Sequence, residues 1–178
     1  FTLPYHRDLA IRILLYAMVA QAWNIVAGYC GQVSLGHAVF FGTGAYTSSV
    51  LQMHWGVNPW LGLLAGVVVA VLLSQAIGYP CFRLRVHYYA IATIASGEII
   101  HTLAINWEFI GGARGLTLPI KPDSLLAFQF SGSKYLYYYI VLVVLVLLVA
   151  MACWLLRTKA GRAWVALRDS ETAAQAMG

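Results

Sequence analysis

The sequence predicts an all-α, polytopic membrane protein with about five membrane passes, organised as a single domain over residues 1–178. Hydrophobic residues make up 61% of the chain and charged residues 10%, against roughly 45–50% and 25% in soluble domains. No Asp, Glu, Lys or Arg occurs between Ile13 and Phe82. A soluble domain of this size could not bury so much apolar surface. The spans are expected to be helical, because backbone groups within lipid must be hydrogen-bonded inside their own segment.

The passes are runs of apolar residues near the length of about 20 that crosses the hydrocarbon core of a bilayer. Pro59 opens the third pass, where a proline at the first helical position is tolerated, and a group of tyrosines precedes the fifth as an aromatic belt. The loop 111–134 contains a Gly-Gly pair and two prolines, so it is predicted to be punctuated rather than helical throughout. The approximate bounds of the five passes are Ile11–Ala27, Val33–Met53, Pro59–Pro80, Tyr88–Trp107 and Tyr135–Leu156.

Positive charges predict the orientation of these passes, because Lys and Arg near span ends accumulate on the cytoplasmic side. Arg83 and Arg85 share a side with the basic tail that follows Leu156, and this side carries more Lys and Arg than the loop between passes four and five. The tail is therefore predicted to be cytoplasmic and the N-terminus external. Arg7 and Arg12 fit poorly at an external N-terminus, which leaves open a re-entrant second pass or an absent earlier helix.

The second pass begins with a glycine-rich break, the segment Gly28–His37, which interrupts the apolar pattern without adding charge. Glycines permit unwinding, and unwound backbone within a membrane is tolerated only where it faces protein or a water-filled cavity. Ser34 is predicted to cap a helix that resumes at Leu35, whose N-terminus would favour a carboxylate. The alternative is a cytoplasmic turn whose small residues allow close helix packing. His37, at the helix start, is more often structural than a proton relay.

Glu98 lies in the middle of the fourth pass, where a carboxylate is costly and is therefore a functional candidate that faces the bundle interior. Glu98 and His101 have the Glu-x-x-His spacing found in di-iron helices, but the other ligands of such a site are missing from the spans, so no metal is expected. The residues predicted to line a translocation pathway are Asn24, Gly31, Gln32, Ser34, Gly36, His37 and Glu98.

Motifs of catalysis and nucleotide hydrolysis are absent from the sequence, including the phosphate-binding loop, His-Glu-x-x-His and Gly-x-Ser-x-Gly. The three cysteines have no metal or redox spacing. The net charge of +5 comes from basic residues at span ends and in loops, which predicts contact with membrane lipid and not with nucleic acid. We expect no enzyme activity and no cofactor, with the energy supplied by another chain. A passive channel, and an intramembrane enzyme built on Glu98 and His101, are the alternatives.

The tail after the fifth pass is predicted to form two short helices. Thr158–Arg168 can make about two helical turns, and Asp169 with Ser170 can cap a second helix, Glu171–Met177, that stops at Gly178. Basic residues and a tryptophan would suit a helix lying on lipid. The second helix is rich in alanine and nearly uncharged, which favours docking in a protein groove.

Four blocks of the chain resemble, in order, the permeases of branched-chain amino acid ABC importers, most closely the first part of the M-type subunit. The chain departs from the family pattern at His87, Ala113 and Pro119. The blocks are Ala22–Tyr46, Phe82–Thr93, Gly111–Thr117 and Gly161–Gly178.

The resemblance implies an importer subunit of the bacterial inner membrane, with ABC ATPase subunits, a second permease subunit and a periplasmic substrate-binding protein as partners. It implies that residues 157–178 form a cytoplasmic coupling loop with a helix that docks on the ATPase. The chain matches only the first part of such a permease, so it is expected to be a fragment whose second half is missing. Related permeases transport urea, amides or other amino acids. The residues assigned to ATPase coupling are Gly161, Arg162, Leu167, Arg168, Glu171, Ala173, Ala174, Met177 and Gly178.

Overall fold

The computed structural model describes residues 4–84, 86–118 and 135–169, and this part of the chain contains α-helices but no strand. A π-helical turn, Ile25–Tyr29, continues the first helix, and two 3-10 turns, Glu108–Ile110 and Gly112–Arg114, follow the fourth. The predicted all-α fold is confirmed, and the loop is punctuated as far as Leu118; its remainder lies outside the described residues. The helices are α1 Pro4–Asn24, α2 His37–Trp55, α3 Pro59–Cys81, α4 Val86–Asn106, α5 Tyr135–Arg157 and α6 Lys159–Asp169.

Four of the described helices are long and apolar enough to cross a membrane: Tyr5–Tyr29, Pro59–Cys81, Tyr88–Asn106 and Tyr135–Arg157. Helix α2 has 19 residues, which is long enough, but it carries more Gly, Ser and Thr than the others. Large apolar side chains of the spans are mostly exposed. Exposed apolar surface of this kind is expected where lipid tails, and not water, surround the helices.

The chain divides into two compact units, Phe1–Ser34 with Ser133–Gly178 and Leu35–Gly132. The first unit contains α1, α5 and α6; the second contains α2, α3 and α4. The chain passes from the first unit to the second between Ser34 and Leu35, in the glycine-rich break, and returns between Gly132 and Ser133.

In the first unit, α1 and α5 run parallel. The Arg7 guanidinium carbon lies 4.6 Å from the centre of the Tyr135 ring at the start of both helices. Beyond their ends, Arg168 Nη1 donates to the Gly28 carbonyl oxygen at 3.4 Å. Two parallel spans require an odd number of crossings between them, which is reached if α2 crosses as well as the candidate spans α3 and α4. The parallel pair therefore favours a spanning second pass over the re-entrant alternative.

In the second unit, α2 and α3 pack antiparallel through small residues. An ideal Cβ at Gly66 would lie 2.8 Å from the Gly44 carbonyl oxygen, and one at Gly62 would lie 2.7 Å from Ser48 Oγ. This confirms the predicted close packing, because glycines let two helix backbones approach in a membrane. The start of α3 is capped as well: the Asn58 side chain accepts the Trp60 N–H at 3.0 Å, with a proline between them.

Gly66→Ala is expected to destabilise the protein, whereas Gly44→Ala is expected to be tolerated. The added methyl at Gly66 meets a backbone oxygen that cannot move aside, whereas a Cβ at Gly44 lies 3.9 Å from its nearest neighbour. Overpacking of this kind costs about 1–3 kcal/mol. Thermal unfolding in detergent, followed by tryptophan fluorescence, measures both variants. Equal shifts in the unfolding midpoint would contradict the asymmetry of this interface.

Candidate functional site

The glycine-rich break starts at the end of α1, where the π-helical turn Ile25–Tyr29 replaces regular α-helix. The Gln32 N–H donates to the Val26 carbonyl oxygen at 3.2 Å, and Trp23 Nε1 donates to the Ser34 carbonyl oxygen at 2.7 Å. Ser34 follows Trp23 by 11 residues yet lies beside it, so the chain folds back on itself. Gly31, with φ +71°, permits this reversal. π-Helical turns inside helices occur frequently at functional sites.

Cys30 lies next to this reversal. Burial raises the pKa of its thiol, because a charged thiolate is disfavoured away from water. The neutral thiol is a poor nucleophile.

Helix α2 does not begin as predicted. The expected Ser34 cap and a helix from Leu35 are wrong: α2 starts at His37, preceded by Gly36, and no side chain caps it. The reason is competition for backbone groups. The Ser34 carbonyl accepts from Trp23, and the Leu35 N–H donates to Thr93 Oγ1 at 3.1 Å.

Along the axis of the antiparallel pair, α2 starts before the level of the last residue of α3 is reached. The contacts of Gly44 with Gly66 and of Ser48 with Gly62 fix the register of the antiparallel pair. Extending this register by the helical rise of 1.5 Å per residue places Gly36 about 10 Å short of the last residue of α3. Non-helical backbone at this depth must face protein or a water-filled cavity, and the hydrogen bonds with Trp23 and Thr93 are such protein contacts.

Two further residues predicted to line the pathway have local partners. Asn24 Nδ2 donates to the Tyr29 hydroxyl at 3.4 Å, which closes the π-helical turn. The half-buried His37 ring packs edge-on against Phe40, with 6.0 Å between ring centres, and within the described residues its Nδ1 has no hydrogen-bond partner.

In the second unit, the Glu98 side chain does not face the start of α2. Its side chain is 77% exposed, and His101 Nδ1 lies 3.9 Å from its carboxylate. The prediction that Glu98 faces the interior is wrong for this unit: Thr93 and Gly97 face the start of α2 instead, with an ideal Cβ at Gly97 3.4 Å from Val39. In the part of the chain that the structure describes, no three His, Cys, Asp or Glu side chains cluster as a metal site.

A tight corner joins α5 to α6. Thr158 Oγ1 donates to the Leu155 carbonyl oxygen at 2.6 Å and accepts the Gly161 N–H at 3.3 Å. The Arg162 guanidinium caps the end of α5 by donating to the Arg157 carbonyl oxygen at 2.9 Å. Gly161 is buried, and an added Cβ would lie 2.5 Å from Leu156 Cα. Two residues predicted for coupling, Gly161 and Arg162, thus build this corner.

The other end of α6 reaches the break. An ideal Cβ at Gly31 would lie 2.7 Å from Arg168 Cγ and 3.2 Å from its Cα, so Arg168 crosses directly over Gly31. The structure therefore brings together a residue predicted for coupling and one predicted for the pathway. The first tail helix is confirmed and is longer than two turns, with 11 residues. Leu167 on α6 is half-buried. The predicted second helix lies outside the described residues, with Glu171, Ala173, Ala174, Met177 and Gly178.

The sequence model of the family described as "Branched-chain amino acid transport system / permease component" matches residues 6–178. The chain belongs to this family. The predicted resemblance is confirmed.

Two curated relatives of the permease are high-affinity branched-chain amino acid transport system permease proteins LivM, from Salmonella typhimurium and Escherichia coli. Each is 32% identical to the permease over 197 aligned positions, which cover 96% of this chain and 45% of the relative. The permease thus spans less than half the length of these relatives. No solved structure matches it significantly.

Three residues of the permease site were missed by sequence reasoning: Trp23, Thr93 and Thr158. Each acts through a hydrogen bond to a backbone group. Only Thr158 could have been predicted from the local sequence, because a threonine between two helical segments is a common N-cap. The Leu35 N–H that Thr93 accepts is 58 residues away in the chain, and backbone groups have no sequence signature.

Proposed function

We propose that the permease is a transmembrane subunit of an ATP-binding cassette importer that moves branched-chain amino acids into the cytoplasm of a bacterium. In this proposal the ABC ATPase subunits, a second permease subunit and a periplasmic substrate-binding protein are separate chains in the inner membrane assembly. Family membership supports the cargo, because the relatives are high-affinity branched-chain amino acid permeases. A permease for urea, amides or other amino acids would share the same mechanism.

The main structural support for the proposal is the contact of Arg168 with Gly28 and Gly31. Helix α6 lies directly after the fifth span and ends on the break that precedes α2. A motor protein that moves α6 would therefore move the backbone beside the proposed pathway. A passive channel could use a broken helix, but it has no need for a basic helix packed against it.

The α5–α6 corner suits transmission of force. Thr158 and Gly161 hold the two helices together through short-range contacts, so α6 moves as an extension of α5 and not as a loose tail. Lys159, Arg162 and Ala163 remain exposed on α6 and form the surface that we assign to the ATPase. In this mechanism the residues of the break, Gly31, Gln32, Ser34, Gly36 and His37, and Asn24 just before it, border the pathway.

Arg168→Ala is expected to reduce leucine uptake about tenfold while ATP hydrolysis by the complete transporter continues. The change removes the side-chain stem over Gly31 and the long, exposed hydrogen bond to Gly28, and a tenfold loss of rate corresponds to about 1.4 kcal/mol. Uptake into proteoliposomes and phosphate release measure the two activities. Arg168→Lys, which keeps the charge and most of the stem, should lie between Ala and wild type. Lys159→Ala, at the exposed start of α6, is the matched control, and equal effects of both alanine variants would contradict the proposal.

Cysteine crosslinking in the same assembly tests the partner directly. With Cys30, Cys81 and Cys153 replaced by serine, Ala163→Cys is expected to crosslink to the ATPase subunit. Leu61→Cys, exposed on α3, should not. A helix that crosslinks to no protein, with leucine flux that persists without ATP, would favour the passive channel.

A further inference from the structure

We propose that Thr93, on α4, is a positioning residue for transport, whose hydroxyl holds the break before α2 at a fixed level in the membrane. The inference rests on the proposed function, because it assigns a role to the same break.

The hydrogen bonds of Thr93 are directional. The Thr93 hydroxyl donates to the Ala90 carbonyl oxygen of its own helix at 2.8 Å. The hydroxyl proton is therefore already used, and the oxygen can only accept a further hydrogen bond. The oxygen accepts the Leu35 N–H at 3.1 Å. Thr93 is only 5% exposed, so its hydroxyl is largely shielded from water. The hydroxyl therefore acts as an acceptor supplied by a neighbouring helix, two residues before α2 begins at His37.

Close packing of α4 against the start of α2 holds the same point. An ideal Cβ at Gly36 would lie 2.6 Å from the Thr93 carbonyl oxygen, and one at Gly97, a turn further along α4, would lie 3.4 Å from Val39 Cγ2. These approaches fix the distance between α4 and the start of α2. The hydroxyl adds what packing cannot, because a hydrogen bond selects one register along the helix axis.

The first N–H groups of a helix have no partner within the helix. Leu35 precedes α2 at a depth where an unpaired N–H is costly. Without the Thr93 hydroxyl, this N–H has to find another acceptor, and the segment between Gly31 and Gly36 has to move toward water to supply one. A break that moves on its own no longer follows α6, so the structure predicts slower transport rather than weaker capture of the cargo.

The test compares Thr93→Ser with Thr93→Ala in the complete transporter, because both lack the methyl group and differ only in the hydroxyl. The serine variant is expected to keep the wild-type turnover. The alanine variant is expected to lose about tenfold in turnover, with the concentration of leucine-loaded binding protein at half-maximal uptake unchanged. Hydrogen–deuterium exchange of the peptide that contains Leu35 is expected to be at least tenfold faster in the alanine variant only.

Ser96→Ala is the control for loss of a hydroxyl from α4, because Ser96 Oγ donates to the Ala92 carbonyl oxygen of its own helix at 2.8 Å. Equal turnover and equal exchange in the serine and alanine variants would overturn the inference, and so would a serine variant as slow as alanine. A wild-type transporter that takes up no branched-chain amino acid would refute the proposed function instead. The exchange rate at Leu35 would still decide whether Thr93 holds the break.

Discussion

In the proposed importer, Gly161→Ala is expected to abolish coupling between α6 and the spans and to reduce leucine uptake by well over tenfold. The added methyl would lie 2.5 Å from Leu156 Cα and against the Leu155 carbonyl oxygen. Both are backbone atoms, which cannot turn away as a flexible side chain can. The α5–α6 corner must therefore open, and the Gly161 N–H leaves Thr158 Oγ1. Such overpacking costs about 1–3 kcal/mol, and a small rotation at the corner becomes a large displacement at the far end of α6.

Uptake into proteoliposomes and ATP hydrolysis should separate in the Gly161→Ala variant, with uptake lost and hydrolysis retained. Gly42→Ala is the matched control, because Gly42 lies inside α2 and an added Cβ has nothing within 4 Å. Wild-type uptake by the Gly161 variant would show that the corner angle is irrelevant to transport. Equal loss in both variants would indicate a general effect of alanine in this protein.

Gly31→Ala is expected to reduce uptake more than tenfold for two separable reasons. Gly31 has φ +71°, a left-handed conformation that costs a residue with a Cβ about 1–2 kcal/mol. The new Cβ would also lie 2.7 Å from Arg168 Cγ and 3.2 Å from Arg168 Cα. The arginine stem can shift, but the α6 backbone behind it cannot without moving the whole helix.

Gly56→Ala isolates the first of these costs. Gly56 ends α2 with φ +63°, and an added Cβ there has nothing within 4 Å, so it bears the same backbone strain without a neighbour. The uptake difference between the two variants therefore measures the contact between the break and α6. If uptake falls equally in both variants, the contact between Gly31 and Arg168 does not contribute to transport, and α6 acts through another contact.

The helices were predictable because their causes are local. The α3 bounds differ from the predicted pass by one residue, since Pro59 starts the helix and the apolar run simply continues to its end. The start of α2 was predicted too early, at Leu35. The N–H of that residue is taken by Thr93 from another helix, and no local pattern reports such competition.

For Glu98, the sequence reported the residue type but not the direction of the side chain. Its type and its position within a span marked it as unusual, because a carboxylate in lipid is costly wherever it points. Which way it points depends on which face of α4 meets α2. Gly97 and Thr93 take that face because small or backbone-bonded side chains let the helices approach, and the exposed Glu98 is left on another side.

The amino-acid sequence by itself determined that the chain has membrane-spanning helices, where four of the five predicted spans lie and which family it resembles. The spans follow from hydropathy over about 20 consecutive residues, which is a local property of the sequence. Only the tertiary structure decided that α1 and α5 run parallel, that Arg168 lies over Gly31 and that Thr93 holds Leu35. These contacts join residues far apart in the chain through glycines and backbone groups, whose role depends on what packs against them and not on their chemical identity.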